Sequence, residues 1–210
     1  MVKKCLIIYS SHTGNTKKVA SRFKSTFEKN GWSCDMFNVR KKAEDILHPP
    51  YNPDDYDFLC VGSGIRSHLP YSEIRLIIRK FQHGCDPRVG LPPGEEITYL
   101  KEPITDTERS GPVEHHRKIT LRPDSKKSAV FVTYAGMEFG PKEAVPAMQL
   151  LALEIEHLEF ECIGQFCCPG KYLDDPTPRT YHGDIRKRPN KNDLLKAEMF
   201  VEEILEKIAR

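Results

Sequence analysis

No apolar run in this sequence is long enough to cross a bilayer. Stretches such as Leu6-Ile7-Ile8 and Ala129-Val130-Phe131-Val132 fall far short of the ~20 residues a spanning helix needs. A secretory leader is not supported either. Met1-Val2-Lys3-Lys4 has the basic start of one, but polar Ser10-Ser11-His12 cuts off the apolar core almost at once. The segment reads instead as a first strand, and a cytoplasmic protein is expected. An excess of one charge is also missing. With 32 basic and 30 acidic residues the formal net charge is +2, which gives no reason to expect nucleic acid or a membrane as partner. The seven cysteines are odd in number and irregular in spacing, which argues against a disulfide framework. Cys5, Cys60 and Cys162 sit in apolar, strand-like runs, where a thiol serves as a small hydrophobe. No internal repeat is found.

What is present fits one soluble globular domain over 1–210. The chain is 39% hydrophobic and 30% charged, and 210 residues suffice for a sizeable α/β domain with an added segment. Short apolar runs over 3–10, 33–39, 57–61, 128–133 and 160–166 read as strands. Helical spacing appears over 13–30, 71–82, 141–157 and 192–209. Val19, Phe23 and Phe27 form one helical stripe and Ile74, Ile77, Ile78 and Phe81 another; Pro146 sits where it can bend the third helix. Alternating strands and helices predict an α/β, doubly wound, five-stranded parallel sheet with strand order 2-1-3-4-5 and right-handed crossovers. In such a sheet ligands lie beyond the carboxyl ends of the strands. The segments following the first, third and fourth strands are rich in small and polar residues.

An insertion before the fourth strand, 84–127, departs from this pattern. It carries Pro87, Pro92, Pro93, Pro103, Pro112 and Pro123 and is too long for an ordinary loop. Ile97-Thr98-Tyr99-Leu100 and Lys118-Ile119-Thr120-Leu121 have the composition of a small hairpin. Two readings stay open for it: a decorative insertion, or a lid or partner-binding arm.

Chemistry enters at Ser11-His12-Thr13-Gly14-Asn15-Thr16, between the first strand and its helix. A helix start presents unpaired backbone N–H groups and partial positive charge, which favours a phosphate. The hydroxyls of Ser11, Thr13 and Thr16 can donate further hydrogen bonds, Gly14 lets the backbone approach, and Asn15 tolerates the tight turn. A plain Ser/Thr helix cap is the ligand-free alternative, but a cap needs one such residue and this turn has several. The Gly-x4-Gly-Lys-Ser/Thr spacing of nucleoside triphosphate loops is absent, as is the Cys-x5-Arg of a low-molecular-weight tyrosine phosphatase.

This Ser-x-Thr-Gly-Asn-Thr run resembles the phosphate-binding signature of the flavodoxin family. The resemblance covers roughly residues 1–80 and 128–166. It implies noncovalently bound flavin mononucleotide (FMN) and redox chemistry. It also implies that the segments after the third and fourth strands flank the flavin: Ser63, Gly64, Ile65 and Arg66 on one side, and Thr133, Tyr134, Ala135, Gly136 and Gly140 on the other. Arg66 would place positive charge at the flavin edge, and Tyr134 or Phe139 would stack on the ring. For Arg66 an ordinary solvated loop residue is an equal reading.

The tail, Cys167-Cys168-Pro169-Gly170 and then Tyr181-His182-Gly183-Asp184-Ile185-Arg186-Lys187-Arg188-Pro189, is similar to flavodoxin-family proteins with a Cys-Pro-Gly turn and a Gly-Asp-x-Arg-x-Arg-Pro run. Arg186, Lys187 and Arg188 suit a nicotinamide dinucleotide phosphate or an acidic partner, or simply a solvated stretch. Three functions follow from the resemblance: an FMN-dependent oxidoreductase, a nonenzymatic electron carrier, or a docking partner of a larger redox system. The partner would be NAD(P)H, a quinone or a ferredoxin-type protein. Near-neutral charge, greater length, and Arg66 and Arg75 near the expected site favour the enzyme. Related flavodoxin-like enzymes often dimerise or tetramerise, so a homo-oligomer is also implied.

Overall fold

Successive side chains of a strand point to opposite faces, and a parallel sheet buries both, so its strands read as near-continuous apolar runs. Cys5-Leu6-Ile7-Ile8-Tyr9, Phe58-Leu59-Cys60-Val61 and Ala129-Val130-Phe131-Val132 are such runs, and all are buried. In the computed structural model, which describes residues 2–39, 46, 48–84, 125–135, 139–171 and 185–209, they form the centre of the sheet.

The strands are β1 (Lys4–Ser10), β2 (Ser33–Asn38), β3 (Phe58–Arg66), β4 (Leu69–Pro70), β5 (Lys126–Tyr134) and β6 (Phe160–Pro169). The helices are α1 (Asn15–Lys29), α2 (Ser72–Gly84), α3 (Val145–Glu156) and α4 (Lys191–Ala209), with short 3-10 turns at Pro53–Asp55 and Gly140–Ala144. The strand order is β2-β1-β3-β5-β6, every pair along it parallel, with the short β4 antiparallel to β3. Leaving β4 aside, this is the predicted order.

Alternation divides the core in two. Leu6, Ile8, Leu59, Val61, Val130 and Val132 face Ile74, Ile77 and Ile78 of α2 and Leu151 and Ile155 of α3. Cys5, Ile7, Phe58, Cys60, Ala129 and Phe131 face Val19, Phe23 and Phe27 of α1 and Ala197, Val201 and Ile204 of α4. The ring of Phe23 lies 4.8 Å from that of Phe131 and 5.5 Å from that of Phe200, so one aromatic cluster joins α1, α4 and the sheet. Gly62 is required there, because a Cβ on it would lie 2.1 Å from Cζ of Phe131.

Three expectations need correction. The Gly62-Ser63-Gly64 segment is not a loop. β3 runs on to Arg66, turns at Ser67 and His68, which have φ of 51° and 64°, and returns as β4 with Ile65 opposite Pro70. Second, the helix expected over 141–157 starts as a 3-10 turn and becomes α-helical only at Val145. Pro146 therefore stands in the first turn of α3, where its missing N–H costs nothing, rather than bending it. Third, Cys167-Cys168-Pro169 is not a turn but the end of β6. Nearly all of the 84–127 insertion, with its expected hairpin, lies outside the described residues, as do Tyr181-His182-Gly183-Asp184.

Candidate functional site

The chain leaves β1 for β2 on one side, and β3 lies on the other, so strand order reverses at β1. The carboxyl ends of β1, β3 and β5 share one edge there: Ser10 is in register with Ser63, and Gly64 with Thr133. The crevice at such a reversal is where open α/β sheets bind ligands.

The phosphate-like turn occupies that edge. Gly14 stands before α1 with φ 81°, a left-handed conformation that glycine adopts without strain, and nothing lies within 4 Å of where its Cβ would be. The N-cap residue Gly14 has no side chain to cap the helix, and the first turn holds no acidic residue. Ser11 Oγ accepts from the Lys17 amide at 3.2 Å. Ser11 and Thr13 are half-buried, whereas Asn15 and Thr16 are buried. Thr16 and Thr133 share a hydrogen bond between their hydroxyls at 2.9 Å, tying α1 to β5. Asn15 Nδ2 donates to the Lys171 carbonyl at 2.8 Å, while its Oδ1 is buried without a hydrogen-bond partner. Gly170 makes room for this side chain, since a Cβ there would lie 2.6 Å from Asn15 Nδ2.

His12 has partners on α2 and beside it. Its Nε2 lies 2.5 Å from Glu73 Oε1, and its ring stacks on Tyr71 with 3.9 Å between centroids and 7° between planes. Ser10 Oγ donates to the same Oε1 at 2.6 Å. The Glu73 side chain is 1% exposed and that of His12 42%. Burial alone would raise the Glu73 pKa. Hydrogen bonds from Ser10, from its own amide and from His12 outweigh burial and hold the carboxyl below its ordinary range. Sequence reading missed Ser10, Tyr71 and Glu73 as site residues. A signal existed, for Glu73 precedes Ile77 and Phe81 at intervals of four, on the apolar stripe of α2.

The two flanking segments are only partly as expected. Ser63 is fully buried and committed locally: its hydroxyl donates to the Gly64 carbonyl at 2.6 Å and accepts from the Tyr71 amide at 2.9 Å. Gly64 gives Tyr71 its place, since a Cβ there would lie 2.6 Å from the Tyr71 ring. Ile65 packs partly against the core, while Arg66 is exposed on the hairpin. Tyr134 is not placed to stack on a ligand. It is 6% exposed, packed in the core beneath α3. Burial first, and then neighbouring Cys167 and Cys168, push its phenol up to about 12. Phe139, 61% exposed, is the aromatic open to contact on that side. Ala135 is half-buried, Gly140 buried with φ 57°, and Gly136 lies outside the described residues. His68 Nδ1 meets Glu143 Oε2 at 2.7 Å, joining the hairpin to the turn that follows β5.

Arg188, Arg75 and the two adjacent thiols are otherwise engaged. Arg188 makes a two-pronged pair with Asp193 at the start of α4, so the basic tail is less free than its composition suggests. Arg75 Nε donates to Glu154 at 2.8 Å, bridging α2 and α3, and is thereby spent between helices. Burial pushes the thiols of Cys167 and Cys168 up, away from the thiolate a redox role requires.

No family model matches the chain, and no curated protein matches it in sequence. Solved structures do. A flavodoxin from the domain Archaea superposes with a TM-score of 0.54 at 13% identity, covering 99% of each chain. Oxidised Flavodoxin 2 from Bacillus cereus gives 0.54 at 16% identity, covering 97% of this chain and 99% of that one. Rubredoxin oxygen:oxidoreductase from Desulfovibrio gigas gives 0.50 at 14%, where 99% of this chain matches 37% of a longer one. With its strand order, its crevice at β1 and these superpositions, the chain has the flavodoxin fold.

Proposed function

We propose that this protein binds FMN at the β1–α1 turn and works as an FMN-dependent oxidoreductase, exchanging electrons with NAD(P)H, a quinone or a redox protein. The observation that carries this reading is the start of α1, whose N-cap is a glycine. It follows the central strand at the strand-order reversal, with left-handed Gly14 in open space and half-buried hydroxyls on Ser11 and Thr13. These residues fit a phosphomonoester: amide donors and a helix dipole attract the anion, and no acidic side chain opposes it in the first turn. The unpartnered, buried Asn15 Oδ1 beside the turn offers an acceptor to a polyol hydroxyl.

Bound FMN would supply hydride and single-electron chemistry. The chain's own part is binding and positioning. Ser11, Thr13 and the amides of the turn hold the phosphate, and Thr16 fixes the turn against Thr133. The hairpin after β3, with Ile65 and Arg66, and the segment around Ala135, Gly136 and Gly140 flank the ring. Arg66 is the cation assigned to raise the flavin's potential. No protein nucleophile or general base is assigned.

A second reading, electron carrier, is favoured by the superpositions on flavodoxins. Near-neutral charge and greater length favour the enzyme. Purified protein should be yellow and release FMN, not FAD, on acid extraction. Anaerobic mixing with NADH or NADPH then separates the two. Rapid loss of the flavin absorption band supports the enzyme. No bleaching, together with fast reduction by a ferredoxin-type donor, supports the carrier. A colourless protein that takes up no added FMN overturns both.

A further inference from the structure

From the geometry around Glu73 we infer that its carboxylate is a positioning residue, acting through His12 to hold a cationic imidazole at the phosphate turn and so select a phosphorylated flavin over riboflavin. The inference rests on the proposed FMN site and assigns the part that discriminates the phosphate.

The cluster is built for this. His12 is the only titratable side chain from Ser10 to Thr16. Its ring is fixed in two directions, flat on Tyr71 and by Nε2 on Glu73 Oε1, at 3.9 Å and 2.5 Å. Gly64 gives Tyr71 the room to lie there, so the hairpin after β3 helps set the orientation of a residue in the β1 turn. Glu73 accepts from Ser10 and His12 on one oxygen and from Ser72 Oγ, at 3.4 Å, on the other. A carboxylate bound by several donors stays ionised despite its burial, and an ionised carboxylate favours the protonated form of an adjacent imidazole. The other charged groups nearby in the chain are the exposed Lys17 and Lys18 of α1. Without the His12 proton, a bound phosphate would face the buried Glu73 charge uncompensated. With it, the pair is neutral and the imidazole remains partly open to ligand.

Binding of FMN and of riboflavin to the full chain tests this, in the unchanged protein and in Glu73→Gln, His12→Gln and the double variant. Glu73→Gln keeps the shape of the buried side chain, and His12→Gln alters a half-exposed one, so the fold survives in at least one arm. Each single variant should lose about tenfold in FMN affinity, the scale of one charge-assisted hydrogen bond, with riboflavin affinity unchanged. The double variant should lose no more than His12→Gln alone, since Glu73 acts through His12. Equal losses for FMN and riboflavin, or additive losses in the double variant, overturn the inference while leaving the FMN site standing. Failure of the unchanged protein to bind any flavin overturns both.

Discussion

At the residue scale, buried polar groups are the informative ones. Glu73 lies on an apolar stripe, and its ionisation ties stability to acidity. Its pKa in the folded protein is below the ordinary value. The unfolded chain therefore binds more protons in the window just below the ordinary glutamate range, and stability falls as pH drops through it. Stability measured by urea titration should thus decline on acidification from pH 6, and Glu73→Gln should flatten that decline. Gly62 shows the opposite economy, an empty position that must stay empty. Gly62→Ala drives a methyl into the Phe131 ring and should lower stability by about 1–3 kcal/mol, read by the same titration. Neither residue's role was fully legible beforehand. Glu73 left a spacing signal, but nothing in the sequence pairs Gly62 with a ring on β5.

At the element scale, strand centres and helix stripes were legible because their periodicity is set by the core they cover. Ends were not. β3 runs four residues past Gly62 although Gly-Ser-Gly has poor strand propensity. Pairing with β1 as far as Ser63 and with β5 as far as Gly64 carries it outward, a tertiary effect invisible to a local window. The hairpin then turns on Ser67 and His68 with positive φ, where Asn-Gly would be the usual pair. Ser67→Asn should therefore raise stability by up to about 1 kcal/mol, measured by thermal or urea unfolding. Phe23 carries the joint between α1, α4 and the sheet. Phe23→Ala should cost about 3–5 kcal/mol, the largest loss predicted here, and a shift in urea midpoint without a change in slope would show that the fold is retained.

At the scale of the whole molecule, topology was the most legible feature, because alternating strands and helices leave few arrangements open. The crevice at β1 followed from it. Side-chain assignments within the crevice fared unevenly. Gly14 is left-handed in open space and Ser11 and Thr13 are half-buried beside it, while Tyr134 is buried because β5 is covered on both faces through its last residue. Among the described residues no helix is long and apolar enough to cross a membrane. Ligand linkage gives a whole-molecule test. FMN at about 100 times its dissociation constant should add about 2.7 kcal/mol of stability, seen as a rise in Tm that riboflavin at the same concentration does not match.

The side-chain bonds that brace the first turn have a consequence for biogenesis. Thr16 leans on Thr133, and Asn15 on the carbonyl of Lys171, partners 117 and 156 positions downstream. A nascent chain on the ribosome holds Ser11 to Thr16 long before either brace has been synthesised. The turn thus acquires its final braces only after Lys171 has been made, and FMN binding at the proposed site would follow that step rather than precede it.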